Sequence, residues 1–291
     1  DENRRNRANV ILYFGTLSRQ QRYELRKLTA KAEFSPLVVD HAVVGWLSTL
    51  DEPGWRKTQR VTLPFTTINP YTPFAGGEVP DEMFVGREAE RRAITDPTGS
   101  MFIYGGRQLG KSALLRQVER GFSGETKPSR EATPDRVAVY IDLKSAGIGE
   151  STGPEGLWTT LAERLTRKKV LAARPRKPWT VETVPPAIME WLEADSSRRL
   201  LLLLDEADNF LTADSRATGA HQIGGFQTLQ RLKGLMEQSD RRFKAVFAGL
   251  HQVQRFHDLP NTPVAHGGQD ILVGPLNPVD ARQLVRDPLL A

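Results

Sequence analysis

Five segments of the chain are apolar on consecutive residues: "SMFIYG" (100–105), "VAVYIDL" (137–143), "LLLLLDE" (200–206), "FKAVFAGL" (243–250) and "DILVGPL" (270–276). A strand with one solvated face alternates apolar and polar positions, so unbroken runs predict strands buried on both faces. Between them "KSALLRQVERGF", "GLWTTLAERLTRKKV", "VPPAIMEWLEAD" and "GGFQTLQRLKGLMEQ" repeat apolar residues near helical spacing. Alternating strands and helices with right-handed crossovers give an α/β fold, a parallel sheet of about five strands with helices on both faces.

The pattern upstream is different. Residues 1–50 read as a partial α/β segment, the end of a preceding domain: a strand "VILYF" (10–14), a helix opened by Ser18 with Gln21 at capping-box spacing, and a strand "PLVVD" (36–40). The apolar "HAVVGWLSTL" that follows suits helix or strand. Residues 51–80, rich in Pro, Gly and Thr, read as a linker, and 81–291 as the main domain. Both ends look like cuts in a longer polypeptide.

Composition narrows the chemistry. The 291 residues contain no cysteine and five scattered histidines, which removes disulfides, iron–sulfur clusters and cysteine-ligated zinc. The aliphatic run at 200–204 is far short of the roughly 20 residues that cross a bilayer, so no membrane partner is expected and a cytoplasmic location is. A net charge of +5 permits an anionic partner without requiring one.

The strand ending at Gly105 runs into Gly106, Arg107, Gln108, Leu109, Gly110, Lys111, Ser112 and Ala113, the pattern G-x-x-x-x-G-K-[ST] between a strand and a helix. Glycines there let backbone N–H groups turn inward around phosphate oxygens, and the helix directs its positive dipole end at the same charge. Lys111 is placed to reach the β and γ phosphates, and Ser112 offers a hydroxyl to Mg²⁺. Five leucines deliver Asp205 and Glu206 to the carboxyl edge of the sheet, where open α/β folds bind ligands. Asp205 is the candidate for the Mg²⁺ shell and Glu206 for the base that polarises the attacking water. Asp208 reads better as a helix-start acid. The letters "DEAD" (205–208) do not make an RNA helicase, because no Ser-Ala-Thr stretch follows the acidic strand; "AVFAGLHQVQRF" does.

An Asp-Glu strand end, with an additional strand between it and the phosphate loop, resembles the P-loop ATPases that use a catalytic glutamate. "FVGREAE" (84–90) is similar to the Val-Gly-Arg-Glu box of the AAA+ origin-recognition ATPases and of the STAND signalling ATPases. The resemblance covers 81–291, including "RFKAVFAGLHQVQRF" and "PVAHGGQDILVGPLNPVDARQLVRDPL", which look like the later strands and lid entry of bacterial STAND-type ATPases. It implies a P-loop NTPase fold of the AAA+ kind with a truncated lid, ATP and Mg²⁺ as cofactors, and hydrolysis to ADP. It also implies that Phe84, Val85 and Gly86 border the adenine, that Arg87 and Glu88 brace the loop, and that His251 or Gln252 senses the γ phosphate unless this is an ordinary post-strand loop. Arg255 is a weaker sensor candidate.

The chain departs from AAA+ hexamers between His257 and Asp270, where "HDLPNTPVAHGGQD" lacks the arginine those assemblies present to a neighbouring subunit. An arginine finger is worth several orders of magnitude in rate, so slow turnover is expected. The basic run "RLTRKKVLAARPRKPW" (164–179) could meet nucleic-acid phosphates, with Trp179 stacking on a base, or be a solvated helix end. Three functions remain open. One is a STAND-like signalling ATPase, in bacterial defence or regulation, whose nucleotide state controls homo-oligomerisation or a partner protein. The second is a DNA-bound origin-recognition loader, and the third a non-hydrolysing, nucleotide-stabilised scaffold.

Overall fold

In the computed structural model, the described residues are 10–18, 20–22, 24–25, 37–50, 54, 58, 62, 79, 83–99, 101–123, 135–173, 178–216, 225–249 and 270–290. The chain divides into two compact units, one of residues 1–75 with 277–291 and one of residues 76–276.

In the first unit, β1 (Val10–Leu12) pairs in parallel with β2 (Leu37–Val39). The capping box at Ser18 forms: Gln21 N donates to Ser18 Oγ (3.2 Å) and Ser18 N to Gln21 Oε1 (2.8 Å). "HAVVGWLSTL" resolves as a helix, α1 (His41–Ser48), because Asp40 caps it by accepting from Val43 N at 3.0 Å. The same carboxylate accepts from Leu17 N and pairs with Arg22, so one buried residue holds the helix start and the segment after β1.

The second unit contains α2 (Glu88–Thr95), β3 (Phe102–Tyr104), α3 (Lys111–Phe122), β4 (Arg136–Asp142), α4 (Gly156–Arg167) and α5 (Val184–Glu193). After these come β5 (Arg199–Asp205), α6 (Asp208–Arg216), α7 (Gln227–Gln238), β6 (Phe243–Gly249) and β7 (Ile271–Leu272). The five strands form one parallel sheet in the order β4-β5-β6-β3-β7. The strand β7 is shorter than its apolar run: Val273 N still donates to Tyr104 O at 2.8 Å, but Pro275 has no N–H to continue the ladder. The last helix, α8 (Pro278–Leu290), belongs to the first unit, and Asn277 caps it by accepting from Val279 N and Asp280 N.

Each unbroken apolar run splits by the period of two. Val137, Val139, Leu200, Leu202, Leu204, Phe243 and Phe247 enter one core with α4, α5, α6 and α7. Ala138, Leu201, Leu203, Val246 and Ala248 enter a second core with α2 and α3. Polar residues at the strand ends inherit these faces, so Asp205 follows Leu201 and Leu203 onto the α3 side.

Candidate functional site: a phosphate loop beside an acidic strand end

The loop after β3 holds backbone conformations that its sequence makes possible. A Cβ on Gly105 would stand 2.3 Å from the Val273 carbonyl oxygen, so the approach of the β7 segment admits only glycine here. Gly110 stands at the amino end of α3 with φ +88°, and no side chain caps that helix. Its first N–H groups therefore face the loop with the positive end of the helix dipole behind them. Gln108 adopts φ +60° without being glycine, a strained conformation of the kind that clusters at ligand-binding loops. Lys111 is buried and folds back, Nζ donating to Gly105 O at 2.9 Å and Gly106 O at 2.8 Å. Arg107, Gln108 and Gly110 are exposed, while Ser112 and Ala113 are half-buried.

At the same edge, β5 delivers Asp205. One strand, β6, separates β5 from β3, which sets the two strand ends about 10 Å apart. Asp205 is buried; its Oδ1 accepts from Glu206 N (3.0 Å) and its Oδ2 from the Tyr140 hydroxyl (2.7 Å). Tyr140 comes from the neighbouring strand β4, on the same sheet face, and the Arg116 guanidinium of α3 lies 4.3 Å over its ring. Burial, then the Asp205 charge, pushes the Tyr140 hydroxyl well above its usual range, so it stays a donor. The sequence reading missed both residues, although Tyr140 is the one half-polar position in an apolar run.

Glu206 leaves the strand in a left-handed conformation (φ +51°) and is half-exposed. Burial, then Asp205 and Asp208, raise its carboxyl above the ordinary glutamate range, against the pull of Lys111 and Lys144. Ala207 N donates to Ala248 O at 2.9 Å, fastening this corner to β6. Asp208 is the first residue of α6 and is buried against the end of β6, where a Cβ on Gly249 would lie 2.8 Å from its Oδ2.

The "FVGRE" box adjoins the loop through Arg87. Gly86 (φ +73°) and Arg87 (φ +66°) form a left-handed turn before α2. The Arg87 guanidinium donates to Leu109 O and Gly274 O and pairs with Glu90 at 3.0 Å, tying the box to the loop and to the segment after β7. Phe84 packs against the same core as Leu109 and Tyr140, and Val85 and Gly86 are half-buried beside it in sequence. Glu88 does not reach the loop: it is exposed and pairs with Arg91 one turn on.

His251, Gln252, Arg255 and 257–269 lie outside the described residues, as does 174–177 of the basic run. The rest of that run favours the helix-end reading over stacking. Trp179 is partly buried against the larger core, and Lys168 pairs with Glu119 at 3.1 Å, so neither is presented freely to a nucleic acid. Among the described residues no group of three or more His, Cys, Asp or Glu could hold a metal unaided. No described helix is long and apolar enough to cross a membrane.

Several solved structures are similar to this chain. They include ORC1 of Aeropyrum pernix in complex with DNA (17% identity, 73% of this chain and 52% of that one, TM-score 0.44). ORC2 of the same organism, in ADPNP–ADP complexes, has 14% identity over 65% of this chain and 45% of that one, with TM-score 0.45. Cdc6p of Pyrobaculum aerophilum has 16% identity over 64% of this chain and 42% of that one, with TM-score 0.39. The chain thus spans about half the length of each. No curated protein matches significantly. Residues 94–256, more than half of the chain and the stretch from α2 past β6, match the family described as AAA domain. With its five-stranded parallel sheet, phosphate loop and flanking helices, the chain belongs to this AAA family and has its P-loop NTPase fold.

Proposed function

We propose that residues 76–276 bind Mg²⁺-ATP at the loop between β3 and α3, hydrolyse it slowly, and act as a nucleotide-dependent switch of the STAND kind. The observation that supports this best is the meeting, at one sheet edge, of an uncapped helix amino end carrying Lys111 with the Asp205–Glu206 corner. The residues suit the ligands: backbone N–H groups of 105–113 and Lys111 for phosphates, Ser112 and Asp205 as hard oxygen donors for Mg²⁺. When bound there, Mg²⁺ would neutralise charge on the β and γ phosphates. To meet phosphate, Lys111 exchanges the two loop carbonyls for substrate oxygens. Glu206 takes a proton from the water that attacks the γ phosphorus, and ADP leaves. Phe84, Val85 and Gly86 border the base, and His251 reads the γ phosphate.

Slow turnover follows from the lack of arginine between His257 and Asp270. A switch, whose states must persist, tolerates a low rate; a motor does not. The output is a change in homo-oligomerisation or in binding of a partner protein, in signalling or bacterial defence.

Steady-state ATPase and ATP-binding assays on two variants test the assignment. Glu206→Gln retains ATP binding and loses at least 100-fold in turnover, on the order of a lost general base; unchanged turnover removes Glu206 from this role. Lys111→Ala loses nucleotide binding, and undiminished binding would sink the phosphate-loop assignment. The "FVGREAE" box is equally similar to the origin-recognition group, and the ORC1 structure contains DNA. Duplex affinity measured against salt separates the two outputs, since a loader's phosphate contacts give a steep slope and the switch reading expects none.

A further inference from the structure

The opposite edge of the same sheet, where the strands begin, carries a cavity of about 240 Å³ rich in cations. Its cationic lining is Arg136, Arg199, Arg241, Arg242 and Lys244, with Phe122 on one wall, and no carboxylate residue lines it. The arginines come from three separate stretches of the sequence. Parallel register sets Arg136 directly beside Arg199, the first residues of β4 and β5, and the period of two turns both, with Lys244, toward the α2–α3 side.

Two of these cations are committed to the fold. Lys244 Nζ donates to Ala93 O, Ile94 O and Asp96 O, closing the carboxyl end of α2. Arg242 donates to Leu192 O, Asp195 O and Ser239 O. The other three are not. Arg136 rests its guanidinium 4.5 Å over the Phe122 ring, and among the described residues Arg136, Arg199 and Arg241 have neither a carboxylate partner nor a side-chain hydrogen bond. Nearby acids are turned elsewhere: Asp96 accepts from Thr98 N and Oγ, and Asp195 from Ser197 N and Oγ. Guanidinium groups that converge on a concave, partly desolvated space focus a positive field and present paired N–H donors matched to phosphate oxygens.

We propose that this cavity is a second anion site, distinct from the phosphate loop, which binds a small phosphate-bearing molecule through Arg136, Arg199 and Arg241. The cavity is concave and of a size for a diphosphate group, whereas a nucleic-acid backbone would call for an extended basic face.

Pyrophosphate titration of Lys111→Ala at fixed ionic strength, followed by calorimetry, tests it with the phosphate loop silenced. Saturable binding is expected, weakened at least tenfold by adding Arg199→Gln and Arg241→Gln, and unchanged by adding Arg164→Gln on the exposed end of α4. The circular dichroism and melting of the ligand-free variants verify that they fold. No saturable binding in the Lys111→Ala protein, or undiminished binding after the two arginine substitutions, overturns the proposal. Displacement of pyrophosphate by an oligonucleotide at a lower phosphate concentration than by pyrophosphate itself also overturns it, in favour of nucleic acid.

Discussion

Tyr140 shows how one hydroxyl sets the orientation of a candidate metal ligand. Its bond to Asp205 Oδ2 fixes the carboxylate plane, and the Arg116 guanidinium over its ring links that bond to the phosphate-loop helix. Groups that orient a ligand typically cost ten- to a hundredfold when removed. Tyr140→Phe is therefore expected to raise the Mg²⁺ concentration at half-maximal ATPase rate by roughly tenfold while the rate at saturating Mg²⁺ falls less. An equal loss at all Mg²⁺ concentrations would make Tyr140 a packing residue only. Asp40 acts on stability instead. Burial would raise its carboxyl, but the bond from Arg22 and the N–H groups of Leu17 and Val43 outweigh it and hold it at about 2. A depressed carboxyl stabilises above its unfolded pKa and loses that contribution as pH falls toward about 2. Asp40→Asn should cost on the order of 1–2 kcal/mol in denaturant unfolding at neutral pH, with the difference from the natural chain vanishing near pH 2; a pH-independent difference would assign the cost to geometry alone.

Among elements, α2 depends most visibly on a single partner. Lys244 reaches from β6 to three carbonyls at its carboxyl end, and burial, opposed by Asp96 and reinforced by Arg241, pushes its ammonium down to about 8. Removing the donor orphans buried acceptors, so Lys244→Met is expected to destabilise by about 1–3 kcal/mol at pH 7. Because the folded chain releases this proton before the unfolded one, the unfolded state binds more protons between about 8 and the ordinary lysine value of 10.5, and stability should gain with pH there. Urea titrations at pH 7 and 10 that show the same gain in Lys244→Met would refute the assignment. The strands themselves were legible: five leucines at 200–204 supply both cores at once, and an unbroken run announces this. The glycines, Lys111 and the Asp205–Glu206 pair were legible because their spacing is local. "HAVVGWLSTL" was not, since its apolar count suits either element and only the capping carboxylate of Asp40 decides. The two readings of Trp179 stayed open because a basic neighbourhood says nothing of the core beneath it. Tyr140 beside Asp205, and the arginines that open β4 and β5, meet only through sheet register, which pairs residues more than sixty positions apart.

On the scale of the molecule, the phosphate loop, the acidic corner and the arginine-lined cavity all lie in the unit formed by residues 76–276, with the sheet running from one site to the other. Under the proposed function, a gain in stability on adding nucleotide is expected to arise in that unit. A ligand at a hundred times its Kd adds about 2.7 kcal/mol to the state that binds it, and local opening of the contacted segments slows accordingly. Hydrogen exchange read by mass spectrometry with Mg²⁺-ATP should show new protection in peptides spanning 105–115 and 203–209. Peptides of β1 and α1, in the other unit, should show none. Lys111→Ala abolishes the effect, whereas Glu206→Gln preserves and prolongs it, because bound ATP is no longer consumed. Protection confined to the first unit, or identical in Lys111→Ala, would place the nucleotide elsewhere. Protection at the amino ends of β4 and β5 that survives Lys111→Ala, obtained with pyrophosphate in place of ATP, would report the arginine cavity separately. Two ligands acting on opposite edges of one rigid sheet can be told apart in this way because each set of contacts lies at its own end of the strands.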